Sequence, residues 1–151
     1  MRRFPEIRFN GDFSHWYSGH DLPYGDFEAK LDVLAPVLER TRYLHGRVGT
    51  GGTIQVDVGD GPDVDGLPLA HFRALWTRSF AGFIATALDD PVPVPVADNA
   101  IGFAPELPAE FGYAVLAPDV DGELREIGDR WDQALVLTRV AADCFTAASA
   151  P

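Results

Sequence analysis

The chain alternates short stretches in which polarity flips at every residue with longer stretches in which apolar residues recur every three or four positions. Strand side chains switch faces at each residue and helix side chains return after about 3.6, so the pattern predicts strand–helix units. In the first, about Glu6 to Asp12, Ile7 and Phe9 point one way while Arg8, Asn10 and Asp12 point the other. Asp26 to Leu34 then reads as a helix with Phe27, Leu31 and Leu34 on one side, which Pro36 either breaks or restarts. A second strand, about Thr41 to Val48, carries Tyr43, His45 and Arg47 on one face and Leu44 and Val48 on the other. Leu67 to Leu88 is the clearest helix, with Phe72, Leu75, Trp76, Phe80, Phe83, Ile84 and Ala87 in one stripe. The alternating prolines of 90–96 suit an edge or an extended approach, so the third strand is placed at about Ala100 to Glu106. There Ile101 and Phe103 face helices, and Gly102, Ala104 and Glu106 face the other way. Gly122 to Ala148 reads as a final helix with Leu124, Ile127, Trp131, Leu135, Thr138 and Phe145 on its apolar face.

Three parallel strands, each followed by helix, predict an α/β fold, a single domain over residues 1–151 equivalent to about the last three units of a (β/α)₈ TIM barrel. A closed barrel needs eight units and about 250 residues. The long glycine- and aspartate-rich loop from Gly49 to Gly66 would lie at the rim that carries function. Its aspartates resemble a calcium loop only superficially, because no glutamate closes a twelve-residue loop.

The formal net charge is −11, with no basic cluster, so nucleic acid and an anionic membrane surface are poor partners and a cation is a better one. The one cysteine, Cys144, sits in an apolar stretch and reads as a small buried hydrophobe. A single thiol, no apolar run of membrane-spanning length and no signal-peptide pattern at Met1 to Glu6 fit a cytoplasmic protein.

The chemistry concentrates at the strand ends. Asp12 with His15, His45 with Arg47, and Glu106 each close a strand, where strand–helix barrels carry their catalytic groups. The spacing from Asp12 to His45 matches one repeat, and that from His45 to Glu106 one repeat lengthened by the glycine-rich loop. Asp12, His45 and Glu106 could therefore converge on one ion, and mixed oxygen and nitrogen donors suit Mn²⁺, Co²⁺ or Mg²⁺. The alternative is that all three are ordinary polar residues at strand ends, which their matching positions argue against. His20 and His71 read as surface residues, and Trp76 and Trp131 as core. Trp16, next to His15, either walls a pocket for a sugar or packs.

Asp12-Phe13-Ser14-His15-Trp16, Leu44-His45-Gly46-Arg47-Val48-Gly49 and Pro105-Glu106 together resemble the last three units of sugar phosphate isomerases/epimerases of the xylose isomerase-like barrel superfamily. The resemblance runs from about Phe9 to the final helix. It implies one divalent metal, with Mn²⁺ favoured, held by Asp12, His45 and Glu106. It further implies that His15 and Arg47 contact substrate oxygens, with Trp16 beside them, and that Gln55 matches a loop glutamine. Glu106 would double as one of two proton-transferring carboxylates; the other belongs to a preceding strand that this chain begins too late to contain. The implied reaction moves a proton at a carbon beside the carbonyl of a sugar or keto-sugar, in a protein incomplete and weakly active or inactive alone. Epimerisation exchanges protons on opposite faces, which one carboxylate serves poorly. Two alternatives remain: a non-catalytic partial barrel that assembles with itself or with a separate N-terminal subunit, and a hydrolase of the endonuclease-like branch with two or three metals. The exposed edges of a cut barrel predict a homo-oligomer or a complementing N-terminal half.

Overall fold

The computed structural model describes residues 4–59, 66–87, 102–105, 116–126 and 129–150. Among them a parallel sheet is built from β1 (Phe9–Gly11), β2 (Thr41–Gly46) and β3 (Gly102–Pro105), with β2 in the centre. Helices α1 (Phe13–Gly19) and α2 (Phe27–Leu38) connect β1 to β2, and α3 (Leu67–Thr86) follows β2. An antiparallel ribbon of β4 (Leu116–Pro118) and β5 (Leu124–Glu126) precedes α4 (Arg130–Ser149). The chain is therefore a mixed α/β protein with a small parallel sheet.

The core forms where α3 and α4 pack on each other and on the sheet. Leu69, Phe72, Leu75, Trp76, Phe80 and Phe83 of α3 are buried at helical spacing, as are Val136, Leu137, Val140, Ala141 and Cys144 of α4. Leu44 joins them from β2, fully buried, while its neighbours Tyr43 and His45 are 40% and 29% exposed on the opposite face. This alternation gives β2 one face against the helices and one more exposed, polar face. Ile84, expected in the α3 stripe, lies outside it and is exposed.

Several boundaries differ from the sequence pattern for local reasons. The first strand is only three residues long, because the chain turns at Asp12 into α1, a helix the pattern did not suggest. Phe13 and Tyr17, one helical turn apart, are both buried and hold that helix down. Helix α2 starts where the Asp26 carboxylate accepts the Ala29 N–H and runs through Pro36 to Leu38. The predicted final helix is two elements. Asp119 Oδ1 accepts the N–H groups of Asp121 and Glu123, and Gly122 adopts a positive φ of 80°, so residues 119–123 form a turn that pairs β4 with β5. Helix α4 starts later, at Asp129, whose carboxylate accepts from Trp131 and Asp132 N–H. It buries a different face from the one expected: Trp131 and Leu135 are 73% and 61% exposed, because the face carrying small Ala134 and Ala141 allows the close approach to α3.

One irregularity reaches the interior. Phe9 pairs with Thr41 but Asn10 with Tyr43, so the ladder slips past Arg42. Arg42 is 7% exposed; its guanidinium donates to the carbonyls of Glu39 and Thr41 and to Thr86 Oγ1, and lies 5.5 Å from the Phe83 ring centre. It ties the end of α2 to β2 and α3 with charge-assisted bonds.

Candidate functional site

Parallel pairing puts the C-terminal ends of neighbouring strands side by side. Gly11 pairs with Leu44, so the next residue of each strand, Asp12 and His45, meet at one rim. The chain leaves β1 at Asp12 and enters α1, whose first turn brings His15 back over it. Three side chains converge on one carboxylate oxygen, Asp12 Oδ2: His15 Nε2 at 3.3 Å, Arg47 Nη2 at 3.4 Å and His45 Nδ1 at 3.9 Å. The other oxygen, Oδ1, accepts a hydrogen bond of 2.7 Å from Ser14 Oγ, which is fully buried. Asn10 Nδ2 donates to His45 Nε2 at 2.9 Å. Both Asp12 oxygens and the far side of the His45 ring are thus positioned by the protein.

Exposure grades across the cluster. The Arg47 side chain is 3% exposed, Asp12 18%, His45 29% and His15 55%. The cationic anchor sits at the bottom and His15 on the solvent side, so the His15 ring and the Asp12 carboxylate are the groups a small polar molecule would reach first. Burial beside a carboxylate suits an arginine, since its charge cannot be lost.

Four expected site residues, Asp12, His15, His45 and Arg47, come together. Glu106 lies outside the described residues; β3 ends one residue before it, with Pro105 opposite Gly46. Trp16 is half-buried, its ring edge-on to Phe13 at 5.7 Å and to His20 at 6.5 Å, so packing accounts for much of it. His71 is no simple surface residue: it accepts or shares a 2.7 Å hydrogen bond with the Tyr17 hydroxyl and stacks on Phe27 at 3.7 Å. Burial pushes its pKa below the ordinary value. Gln55 is buried, in a loop that folds back on itself: Val56 N–H donates to Val48, Thr50 N–H to Thr53, and Ser18 Oγ reaches over to Gly51. A Cβ at Gly49 would stand 2.7 Å from the Thr53 carbonyl oxygen, so the turn needs glycine there. The site residues that the sequence pattern did not single out are Asn10 and Ser14. Asn10 shares a face with Asp12 two positions on, which is the signal that could have found it.

The donors suit a cation in part. Asp12 Oδ2 and His45 Nδ1 stand 3.9 Å apart, within the span of about 4.2 Å that two ligand bonds of ~2.1 Å can cover. Among the described residues, however, no trio of His, Cys, Asp or Glu is arranged to hold a metal ion. The Arg47 guanidinium on the same oxygen would also compete with a second cation. A separate groove of about 580 Å³ between α2 and the loop that precedes it is apolar; its Asp26 and Lys30 are engaged with backbone groups, and it offers no comparable convergence.

No model of a known protein family, no curated protein and no solved structure matches the chain. Among the described residues no helix is long and apolar enough to cross a membrane.

Proposed function

We propose that this chain is a sugar isomerase/epimerase-like protein built as the C-terminal strand–helix units of a TIM barrel, acting by proton transfer beside a carbonyl. The observation that carries the reading is the meeting of Asp12, His15, His45 and Arg47 at the C-terminal ends of adjacent parallel strands, where barrel enzymes hold their reacting groups. A ketose offers what this cluster recognises: vicinal oxygens that accept from Arg47 and His15, and hydroxyls that donate to Asp12. Arg47, buried and fixed, would orient the substrate; His15, more exposed, would close over it. Glu106 is the carboxylate assigned to move the proton. Asp12, His45 and Glu106 would hold a divalent ion, Mn²⁺ by preference, which when bound would polarise the carbonyl and hydroxyl oxygens.

The test is stabilisation by Mn²⁺. At ten times the dissociation constant, linkage adds about 1.4 kcal/mol, a rise of about 3–6 °C in melting temperature for a chain of this size. The rise is expected in the wild type and absent in Asp12→Ala and His45→Ala. An unchanged wild-type melting curve at saturating Mn²⁺ overturns the metal assignment. Proton exchange from a ketose in deuterated water, with and without Mn²⁺, tests the chemistry itself: the chain alone is expected to show little or none, and robust exchange lost in Glu106→Gln would show that one carboxylate suffices.

A second reading is favoured by α4, where Trp131 and Leu135, one helical turn apart, are both exposed. Such a pair suits a partial barrel that assembles with a second copy or with a separate N-terminal half without catalysing anything.

A further inference from the structure

Three helices meet on one imidazole. Nδ1 of His71, on α3, lies 2.7 Å from the Tyr17 hydroxyl of α1, and the His71 ring stacks on Phe27 of α2 with centres 3.7 Å apart. Tyr17 is 1% exposed, and among the described residues its hydroxyl has no other hydrogen-bond partner. A buried hydroxyl cut off from water depends on that one bond. A neutral imidazole with its proton on Nε2 offers a lone pair at Nδ1, which accepts the tyrosine proton. An imidazolium has N–H at both positions and no lone pair, so the tyrosine proton is left without an acceptor in a dry interior.

Helix α1 cannot stand without such ties. It is seven residues long, and a helix that short has little stability of its own in water. Burial of Phe13, Ser14 and Tyr17 holds it down, with a longer bond of 3.3 Å from Ser18 Oγ to the Gly51 carbonyl. Its first turn brings His15 to Asp12. The titratable groups that act on His71 are Tyr17 from α1 and Glu28 from α2, and the Glu28 carboxylate is already paired with Arg78 of α3 at 2.7 Å. Burial outweighs the attraction of Glu28 and disfavours the charged ring.

We propose that His71 is a pH-sensitive clasp: neutral, it locks α1 onto α3, and on protonation it releases α1 together with the His15 that α1 holds over Asp12. Acid then opens the rim before it unfolds the chain. The consequence for the site rests on the function proposed above, whereas the clasp stands on the geometry of Tyr17, Phe27 and His71. The sign follows from which state binds the proton. With α1 released, His71 titrates near the ordinary value of about 6.5; with α1 locked, it takes the proton less readily. Locking is therefore independent of pH above that value. Below it the released state gains up to about tenfold per pH unit, until the locked ring itself protonates.

Amide hydrogen exchange of the whole chain, corrected for intrinsic rates and read by NMR, tests the clasp. The reporters are the His20 and Leu22 amides, bonded to the Trp16 and Tyr17 carbonyls at 2.9 and 3.1 Å. The reference is the Val140 and Ala141 amides of α4, in the seam with α3. In the wild type, reporter protection is expected to be level at neutral pH and to fall up to about tenfold per unit in acid, with the seam more protected throughout. His71→Phe keeps the stack on Phe27 and should make reporter protection independent of pH. Tyr17→Phe keeps the buried ring without its hydroxyl. It should lower reporter protection about 2- to 12-fold at neutral pH, the factor that one net hydrogen bond represents, and blunt the fall in acid. Wild-type protection that ignores pH, or a fall that persists in His71→Phe, overturns the clasp. Reporters and seam exchanging at one common rate also overturn it, because α1 then leaves only when the whole molecule unfolds. Neither metal nor sugar enters these measurements, so their failure is distinct from failure of the proposed function.

Discussion

Replacing Gly82 by alanine sets two effects of opposite sign against each other. Inside a helix alanine is better than glycine by about 1 kcal/mol, so on propensity alone Gly82→Ala stabilises α3. The structure argues the reverse. A Cβ at this position would stand 2.4 Å from Glu39 Cα, 3.1 Å from its nitrogen and 3.2 Å from its carbonyl carbon. All three are backbone atoms and cannot swing aside as a side-chain tip could. Carbon atoms in contact prefer about 3.5–4.0 Å, so α3 and the end of α2 must part by roughly 1 Å. Overpacking of that kind costs about 1–3 kcal/mol. The same separation pulls Thr86 Oγ1 of α3 away from the Glu39 carbonyl, 3.1 Å off, and strains the 2.8 Å bond it accepts from Arg42, which contributes about 1 kcal/mol. Set against the propensity gain, the net loss is about 1–3 kcal/mol. Urea unfolding at fixed slope measures it, with Ala81→Gly, a substitution at an exposed neighbouring position, as the control for propensity. If Gly82→Ala moves the midpoint upward, α3 does not approach Glu39 as closely as described and the reasoning fails.

Because burial lowers the pKa of His71, the unfolded chain binds more protons than the native one, so stability is complete above the ordinary imidazole value of about 6.5 and falls as pH drops through it. His71→Phe, which keeps the stack on Phe27, should flatten that part of the stability–pH curve; an unaltered slope refutes the assignment. Arg42→Leu removes a donor from the carbonyls of Glu39 and Thr41 and from Thr86 Oγ1, and should cost about 2–4 kcal/mol in chemical denaturation; a loss below 1 kcal/mol would mean that water takes over those acceptors. Trp131→Glu combined with Leu135→Glu should shift sedimentation toward the 16.4 kDa monomer, and a wild type that is already monomeric at tens of micromolar would refute association through α4.

The three parallel strands, helices α2 and α3, and the meeting of Asp12 with His45 were legible because they rest on short periods. Alternation around Asn10-Gly11-Asp12 and Tyr43-Leu44-His45 fixes which residues share a face, and parallel pairing then brings Asp12 beside His45 whatever the loops do. What periodicity could not supply was phase where two phases are equally helical. In α4 the set Trp131, Leu135, Thr138 has the same spacing as Gln133, Leu137, Val140, Cys144, and only the fit against α3 chooses the second. Turn chemistry was present at Asp119 to Gly122, yet the helical run behind it hid the ribbon of β4 and β5. The slip at Arg42 leaves no mark in composition, since a charged residue in a strand normally reads as exposed.

The solitary thiol gives the packing of the two long helices an intrinsic clock. Cys144 lies buried in the seam between α4 and α3, its Sγ 3.6 Å from the Arg73 carbonyl oxygen, and burial pushes its pKa up. Attack requires a thiolate and access, and the closed seam withholds both. Alkylation by a small reagent in excess therefore proceeds only from molecules in which the seam has opened, and with one cysteine in the chain every modified molecule counts the same event. Comparing that rate with global unfolding separates two histories for this protein: α4 peeling from α3 while the sheet and its Asp12 cluster persist, or one cooperative unit in which the rim and the seam are lost together.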